Sequence, residues 1–474
     1  MKYNLPLTIS LLLLTNSYGF AAPPLPSGLN NDKPQLPAGL KSSPNLPSGL
    51  NNDKPSLPSG LSGLTVETTV SEELEAEPFM EVSGFWDIRG GVRLPSNPYE
   101  DQFALGESRL QIELQKEMEL ATVNVTADFI YDALAPNHKI NLDTGQGWID
   151  LREANVAFSP LSFMDVKVGR QILTWGTGDL IFINDLFPKD WQAFFIGRNV
   201  EYLKAPSDAV KTSMFSDYVN IDVIFTPQFD ADRSITGERI SYYNPMLGET
   251  AGNNAVVNSR QPTSAEWALR LYQNIGVNEL ALYAYDGFWK SPAGFDPSTN
   301  QAVHPDLRSI GASLRRPLWQ GITNVELGYY HSKDSNNANN PLAQNSEMRF
   351  LLGYEQEVMR NVSIGVQYYV EWMQDYQNYQ NNLATSATQR DEVRHLITSR
   401  LTWLTLNQNL NLSLFSFYSP SDQDAYFRPK ASYKVTDAWL AEIGGNFFVG
   451  KNNYSFFGQF EENNNIYGAI RYSF

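Results

Sequence analysis

From Phe79 to the C-terminus, apolar side chains recur at every second position in segment after segment, and few folds tolerate that. In the first segment Met80, Val82, Trp86, Ile88, Val92 and Leu94 share one face, against Glu81, Ser83, Asp87, Arg89 and Arg93 on the other. A later one sets Val362, Ile364, Val366, Tyr368, Val370 and Trp372 against Ser363, Gln367 and Glu371. Successive residues of a strand point to opposite faces, so each segment reads as a strand greasy on one side and wet on the other. The segments are longer than most soluble strands. They match the ~9–11 tilted residues with which a strand crosses a bilayer, apolar side to lipid and polar side to a lumen. In hydrocarbon every backbone N–H and C=O must find a partner within the protein, so such a sheet has to close on itself. The pattern predicts an all-β fold, a transmembrane antiparallel up-and-down β-barrel over residues 79–474. It has eighteen strands, or sixteen if the two short segments flanking Asp217 do not form. Short and long links alternate between the segments, the habit of periplasmic turns and external loops.

The N-terminus sets the compartment. Lys2, the apolar run Leu11 to Leu14 and the small-x-small site Gly19-Phe20-Ala21 read as a secretory signal peptide over residues 1–21. The chain has no cysteine, hence neither a lipid anchor through an N-terminal Cys nor disulfides. Residues 22–64 are a repeat: Leu25-Pro26-Ser27-Gly28-Leu29 recurs as Leu36-Pro37-Ala38-Gly39-Leu40, Leu46-Pro47-Ser48-Gly49-Leu50 and Leu57-Pro58-Ser59-Gly60-Leu61. Pro and Gly at this density block helix and sheet, which predicts a disordered, extended periplasmic arm. Solvation alone would favour polar residues in a spacer. The paired leucines instead read as tandem short linear motifs that gain avidity for a periplasmic or inner-membrane partner. Extended at ~3.1 Å per residue, the arm reaches on the order of 100 Å. Residues 65–78 form an acidic hinge. The chain ends with Ile466, Gly468, Ile470, Tyr472 and Phe474 on one face of the last segment. That ending resembles the signature by which the barrel-assembly machinery recognises bacterial outer-membrane proteins.

The polar faces carry charge of both signs, including Arg89, Arg109, Arg349, Glu371 and Arg428, as a water-filled or ion-paired lumen would. Arg152 and Arg170 sit where the alternation slips, as at a bulge. The loop after Trp175-Gly176 is the most apolar in the chain, with Phe182, Phe187, Trp191, Phe194 and Phe195. Exposed at the cell surface it would be a large greasy patch. It either folds inward and lines or constricts the pore, packs as a lid on the rim, or rests its aromatics in the headgroup layer. The candidate pore-lining set is Arg89, Arg109, Arg152, Trp175, Phe182, Phe187, Trp191, Arg349, Glu371 and Arg428.

Gly169-Arg170-Gln171, Trp175-Gly176, Asn184-Asp185 and Pro188-Lys189-Asp190-Trp191, with Leu151-Arg152-Glu153-Ala154 upstream, resemble a porin-like outer-membrane family. Its members are associated with inner-membrane exporters of the resistance–nodulation–division (RND) type that handle hydrophobic compounds. The resemblance implies an outer-membrane conduit for small, hydrophobic or lipid-like molecules, working with an RND-type partner. A general diffusion porin with a dispensable arm is the alternative. An enzyme is disfavoured: the four histidines, His138, His304, His331 and His395, face no evident nucleophile or acid. No phosphate-cradling loop or metal cluster occurs, so no cofactor or metal is expected. The net charge of −17 argues against nucleic acid. The partners expected are outer-membrane lipid, the assembly machinery and a transporter component, with a homo-oligomer left open.

Overall fold

The computed structural model describes residues 80–474 except 95, 245–247, 254, 257 and 384–387. The signal peptide, the repeat arm with all its Leu-Pro-x-Gly-Leu motifs, and the acidic hinge lie outside the described residues. The main sheet has eighteen strands. In chain order they are β1 (Glu81–Arg93), β2 (Phe103–Glu117), β3 (Thr122–Asp132), β4 (Ile149–Leu161), β5 (Met164–Ile172) and β6 (Pro206–Met214). Next come β7 (Asn220–Thr226), β8 (Glu266–Ile275), β9 (Asn278–Phe288), β10 (Asp306–Leu318), β11 (Gly321–Ser332) and β12 (Glu347–Met359). The last six are β13 (Val362–Met373), β14 (Val393–Thr405), β15 (Leu410–Ser419), β16 (Asp424–Lys434), β17 (Trp439–Gly450) and β18 (Asn465–Ser473).

Neighbours along the chain pair antiparallel, and β1 pairs with β18 as well as β2. Phe85 lies opposite Ser473 and Arg93 opposite Asn465, so the sheet is a closed barrel without an edge. The short pair β6 and β7 is part of the wall: Val210 faces Phe225, β6 pairs back to β5 and β7 forward to β8. That decides eighteen over sixteen.

The period-two pattern does what it predicts. Val82, Ile88, Leu282, Ile310, Leu352, Ile397, Ile443 and Ile470 are exposed on the outer surface. Their inward neighbours Arg89, Ser309, Arg349 and Glu442 are buried. Trp319, Trp403, Tyr433, Trp439 and Phe474 lie exposed toward the short-turn end, and Tyr131, Trp148, Trp267, Trp372 and Tyr418 toward the long-loop end. Two aromatic girdles are what a bilayer's two interfaces select. No helix of the described residues is long and apolar enough to cross a membrane.

Two irregularities matter for the interior. Register slips from Thr126 opposite Glu153 to Ala127 opposite Leu151, leaving Arg152 as the extra residue of a β-bulge. The other is the end of β5. Alternation continues to Gly176, but the strand stops at Ile172, and Leu173 and Trp175 are buried inside the barrel. There the chain leaves the wall.

Candidate functional site: a loop across the lumen

The link between β5 and β6 folds into the barrel. Leu180, Ile181, Phe182, Ile183, Phe187, Trp191, Phe194, Phe195 and Ile196 are all buried. They share one apolar core with inward-facing wall residues such as Leu307, Tyr330, Leu351, Tyr369, Leu396 and Phe417. Of the arrangements open to this loop, the structure adopts the inward one.

Local chemistry makes the path possible. Gly176 takes φ +88°, where a side chain would be strained. The helix α1 (Trp191–Ile196) starts at Asp190, whose carboxylate accepts from the Ala193 N–H at 2.7 Å. It ends at Gly197, with φ +100°, where a Cβ would run into the Tyr467 ring. A 3-10 turn, Val200–Leu203, follows before β6.

Three anchors hold the first half of the loop. The Glu326 carboxylate on β11 accepts from the Thr177 N–H, from Thr177 Oγ1 at 2.9 Å, from Gly178 N–H at 2.8 Å and from Asn184 Nδ2 at 2.8 Å. Asp179 pairs with Arg400 on β14 at 2.6 Å, and its backbone exchanges two hydrogen bonds with the Gln367 amide on β13, both at 2.6 Å. The third anchor is shape. Gly311 on β10 lies opposite Gly328 on β11, both facing inward. A Cβ on Gly311 would meet the Asn184 side chain, and one on Gly328 would meet Ile183. The paired glycines are a dent in the wall that the loop fills.

The second half is fastened to the other side. Arg198 pairs with Glu107 on β2 at 2.7 Å, and Arg89 on β1 donates to the Gly197 carbonyl at 3.2 Å. Arg428 on β16 donates to the Arg198 carbonyl at 3.1 Å, and Arg471 on β18 pairs with Glu201 at 2.7 Å. At the bulge, Arg152 donates to the Lys204 carbonyl at 2.7 Å. Between the two halves, Lys189 is fully buried, paired with Asp185 at 2.9 Å and lying over the Phe182 ring at 4.2 Å. Burial pulls its ammonium pKa below the ordinary lysine value, against the pull of Asp185. Asp232, on the loop between β7 and β8, accepts from the Lys189 N–H at 2.8 Å and from Trp191 Nε1 at 3.1 Å. Burial raises the Asp232 pKa.

All ten residues of the candidate lining set lie inside the wall, and all ten are buried. Arg89 is shared between Asp87 and Glu442, Arg109 between Glu107 and Asp128. Arg349 pairs with Glu347 and Glu371 beneath the Tyr330 ring, and Glu371 reaches Arg394 at 3.0 Å. Arg428 lies over Phe194 at 4.4 Å, Arg152 over Tyr202 at 5.0 Å. Trp175 meets Phe187 edge-on, Phe182 takes the Lys189 ammonium, and Trp191 packs on Phe194 and Phe195. They are tied to one another and to the loop. Of the C-terminal signature, Ile470 and Phe474 face outward, and Tyr472 packs against Trp439 with the rings tilted by 44°.

The histidines follow structural roles. His304 donates its Nδ1–H to the Trp289 carbonyl at 2.8 Å and accepts at Nε2 from Ser259 Oγ at 3.2 Å, and burial pushes its pKa down to about 4. His395 meets the Tyr368 hydroxyl at 2.7 Å on the outer face. His138 stacks between Tyr131 and Trp148. Among the described residues no group of three or more metal-ligating side chains converges.

On the long-loop side of the crossing loop lies a cavity of about 830 Å³, walled by the end of β3 and by residues of the links 133–147, 227–265 and 289–305, with Gln192 and Arg198 reaching into it. Nothing periodic marks these walls in the sequence. On the short-turn side the lumen face is polar and open, with Glu113, Arg315 and Glu355 exposed.

The barrel superposes on the solved structures of Acinetobacter baumannii OccAB4 and OccAB3. For OccAB4 the TM-score is 0.52 at 9% identity, covering 83% of this chain and 98% of that one. For OccAB3 it is 0.50 at 10% identity, covering 83% and 99%. The likeness is one of fold. No protein-family model matches the sequence, and no curated protein does.

Proposed function

We propose that the chain is an outer-membrane channel for small molecules in which the 173–205 loop is the constriction, its N-terminal arm tethering it to a periplasmic or RND-type inner-membrane transport component. The observation that carries the channel reading is the crossing loop, bonded to β11, β13 and β14 at one end and to β1, β2, β16 and β18 at the other. A wall with lipid outside and polar groups inside supports a membrane conduit, and a fixed internal loop narrows it. The preference for hydrophobic or lipid-like solutes rests on the resemblance carried by residues 151–191 alone. The tether rests on the leucine-bearing repeats alone.

Two experiments test the proposal. Purified protein in planar bilayers should conduct in small, discrete steps; a large ohmic conductance typical of an open diffusion porin would overturn the constriction. Deleting residues 23–64 should leave those steps intact and abolish recovery of an inner-membrane transporter after crosslinking in cells. Unchanged recovery would end the tether.

A further inference from the structure

We propose that the 830 Å³ cavity at the long-loop mouth is a binding vestibule for organic cations that carry an apolar body, an inference that rests on the channel reading above. The cavity is large enough for a drug-sized solute. Its lining holds three guanidiniums, Arg198, Arg233 and Arg239, and five carboxylates, Asp132, Asp143, Asp190, Asp232 and Glu238. The sign of its preference depends on which of these are already spent.

The arginines are. Arg233 grips both oxygens of Asp150, at 2.8 and 2.9 Å, and gives its remaining N–H groups to Asp190 and to the Leu142 and Asp143 carbonyls. Arg239 holds both oxygens of Asp132 and reaches the Ala104 carbonyl. Arg198 is taken by Glu107 at 2.7 Å. Two of these partners, Asp150 and Glu107, stand outside the cavity lining, so positive charge is neutralised from behind the walls. An incoming anion would have to break buried bidentate pairs and leave their carboxylates uncompensated, which is strongly unfavourable.

The carboxylates divide differently. Asp132 and Asp190 belong to the arginine pairs, and Asp232 is held by the Lys189 N–H, Trp191 Nε1 and Ser291 Oγ. Asp143 and Glu238 have no ion pair among the described residues. They stand on different loops, and Glu238 takes only the Gln146 amide at 3.0 Å. The same walls include Ile235, Tyr242, Tyr243 and Phe295. A cavity that holds both unpaired carboxylates and aromatic side chains selects a cation over its anionic isostere, through direct charge and through the ring quadrupole.

The test uses two probes of matched shape, benzyltrimethylammonium and phenylmethanesulfonate, against the full chain in lipid nanodiscs by equilibrium dialysis. The cation should bind about tenfold more tightly than the anion, and Asp143→Asn with Glu238→Gln should remove that preference. Circular dichroism and heat-modifiable migration verify that the double variant keeps its barrel, and D143N alone provides a milder second variant with a threefold weaker cation. Equal binding of the two probes, preference for the anion, or cation binding untouched by either variant would overturn the proposal. Bilayer conductance separates the two readings. Ion conduction without cation preference sinks the vestibule and leaves the channel, whereas cation binding in a barrel that never conducts, even after the crossing loop is excised, sinks the channel and leaves the site.

Discussion

The two halves of the lumen are built on opposite terms. Toward the short turns, inward-facing Glu113, Glu355 and Arg315 stay exposed, as polar groups lining water do. Toward the long loops the interior is packed like the core of a soluble protein, with Tyr330, Tyr369, Phe417, Tyr426 and Phe448 almost completely inaccessible. Tyr426 stacks flat on Phe448 at 4.5 Å, and Phe195 of the crossing loop meets both edge-on. The difference teaches that lumen-facing is not the same as wet. One loop of adequate length supplies a second apolar surface, and wall residues that would be wasted in water become a core.

Perturbations should therefore be felt very unequally in the two halves. Replacing Glu326 with Ala strips the acceptor from Thr177, Gly178 and Asn184 together and should free the 177–184 segment, costing about 3 kcal/mol locally. Hydrogen exchange confined to that segment should accelerate by two orders of magnitude or so, and bilayer conductance should become larger and noisier; unchanged exchange would mean that the anchor is decorative. Gly328→Val fills the dent under Ile183 and should destabilise by roughly 1–3 kcal/mol, seen as a lower unfolding temperature, while Ala312→Val on the outward face of β10 should be close to neutral. Glu355→Gln, in the wet half, should alter stability by less than about 0.5 kcal/mol and register only as a small change in cation selectivity.

A separate effect concerns pH. Glu100, on the loop between β1 and β2, has its pKa raised to about 7 by burial, and it accepts from Asn253 across to the loop between β7 and β8 at 3.0 Å. A carboxyl whose folded pKa lies above its unfolded value of about 4.5 adds stability that is complete below pH 4.5 and disappears as pH rises through 7. Exchange in residues 96–102 should accordingly quicken between those limits, and Glu100→Gln should flatten the profile.

How much of this the sequence discloses follows the range of each interaction. The outer face is legible because period two is a local property: Val362 to Trp372 announces its lipid side without reference to any other strand. The bulge at Arg152 is legible for the same reason. The end of β5 is not, because Leu173 and Trp175 continue an alternation that the wall itself has abandoned. The apolar composition of the crossing loop narrows its fate to three arrangements, and only contacts with distant strands choose among them. Gly311 and Gly328 look like ordinary strand glycines until register sets them face to face. Arg233 and Asp150 are far apart in the chain, and the vestibule they brace is made of loops with no period to read.

Single-channel conductance of the wild-type barrel, measured beside a variant in which residues 174–204 are replaced by a short Gly-Ser linker, bears most directly on the crossing loop as the constriction. The excised barrel should conduct severalfold more than the intact one, with the same fold by circular dichroism. Equal conductance from two properly folded barrels would contradict the account.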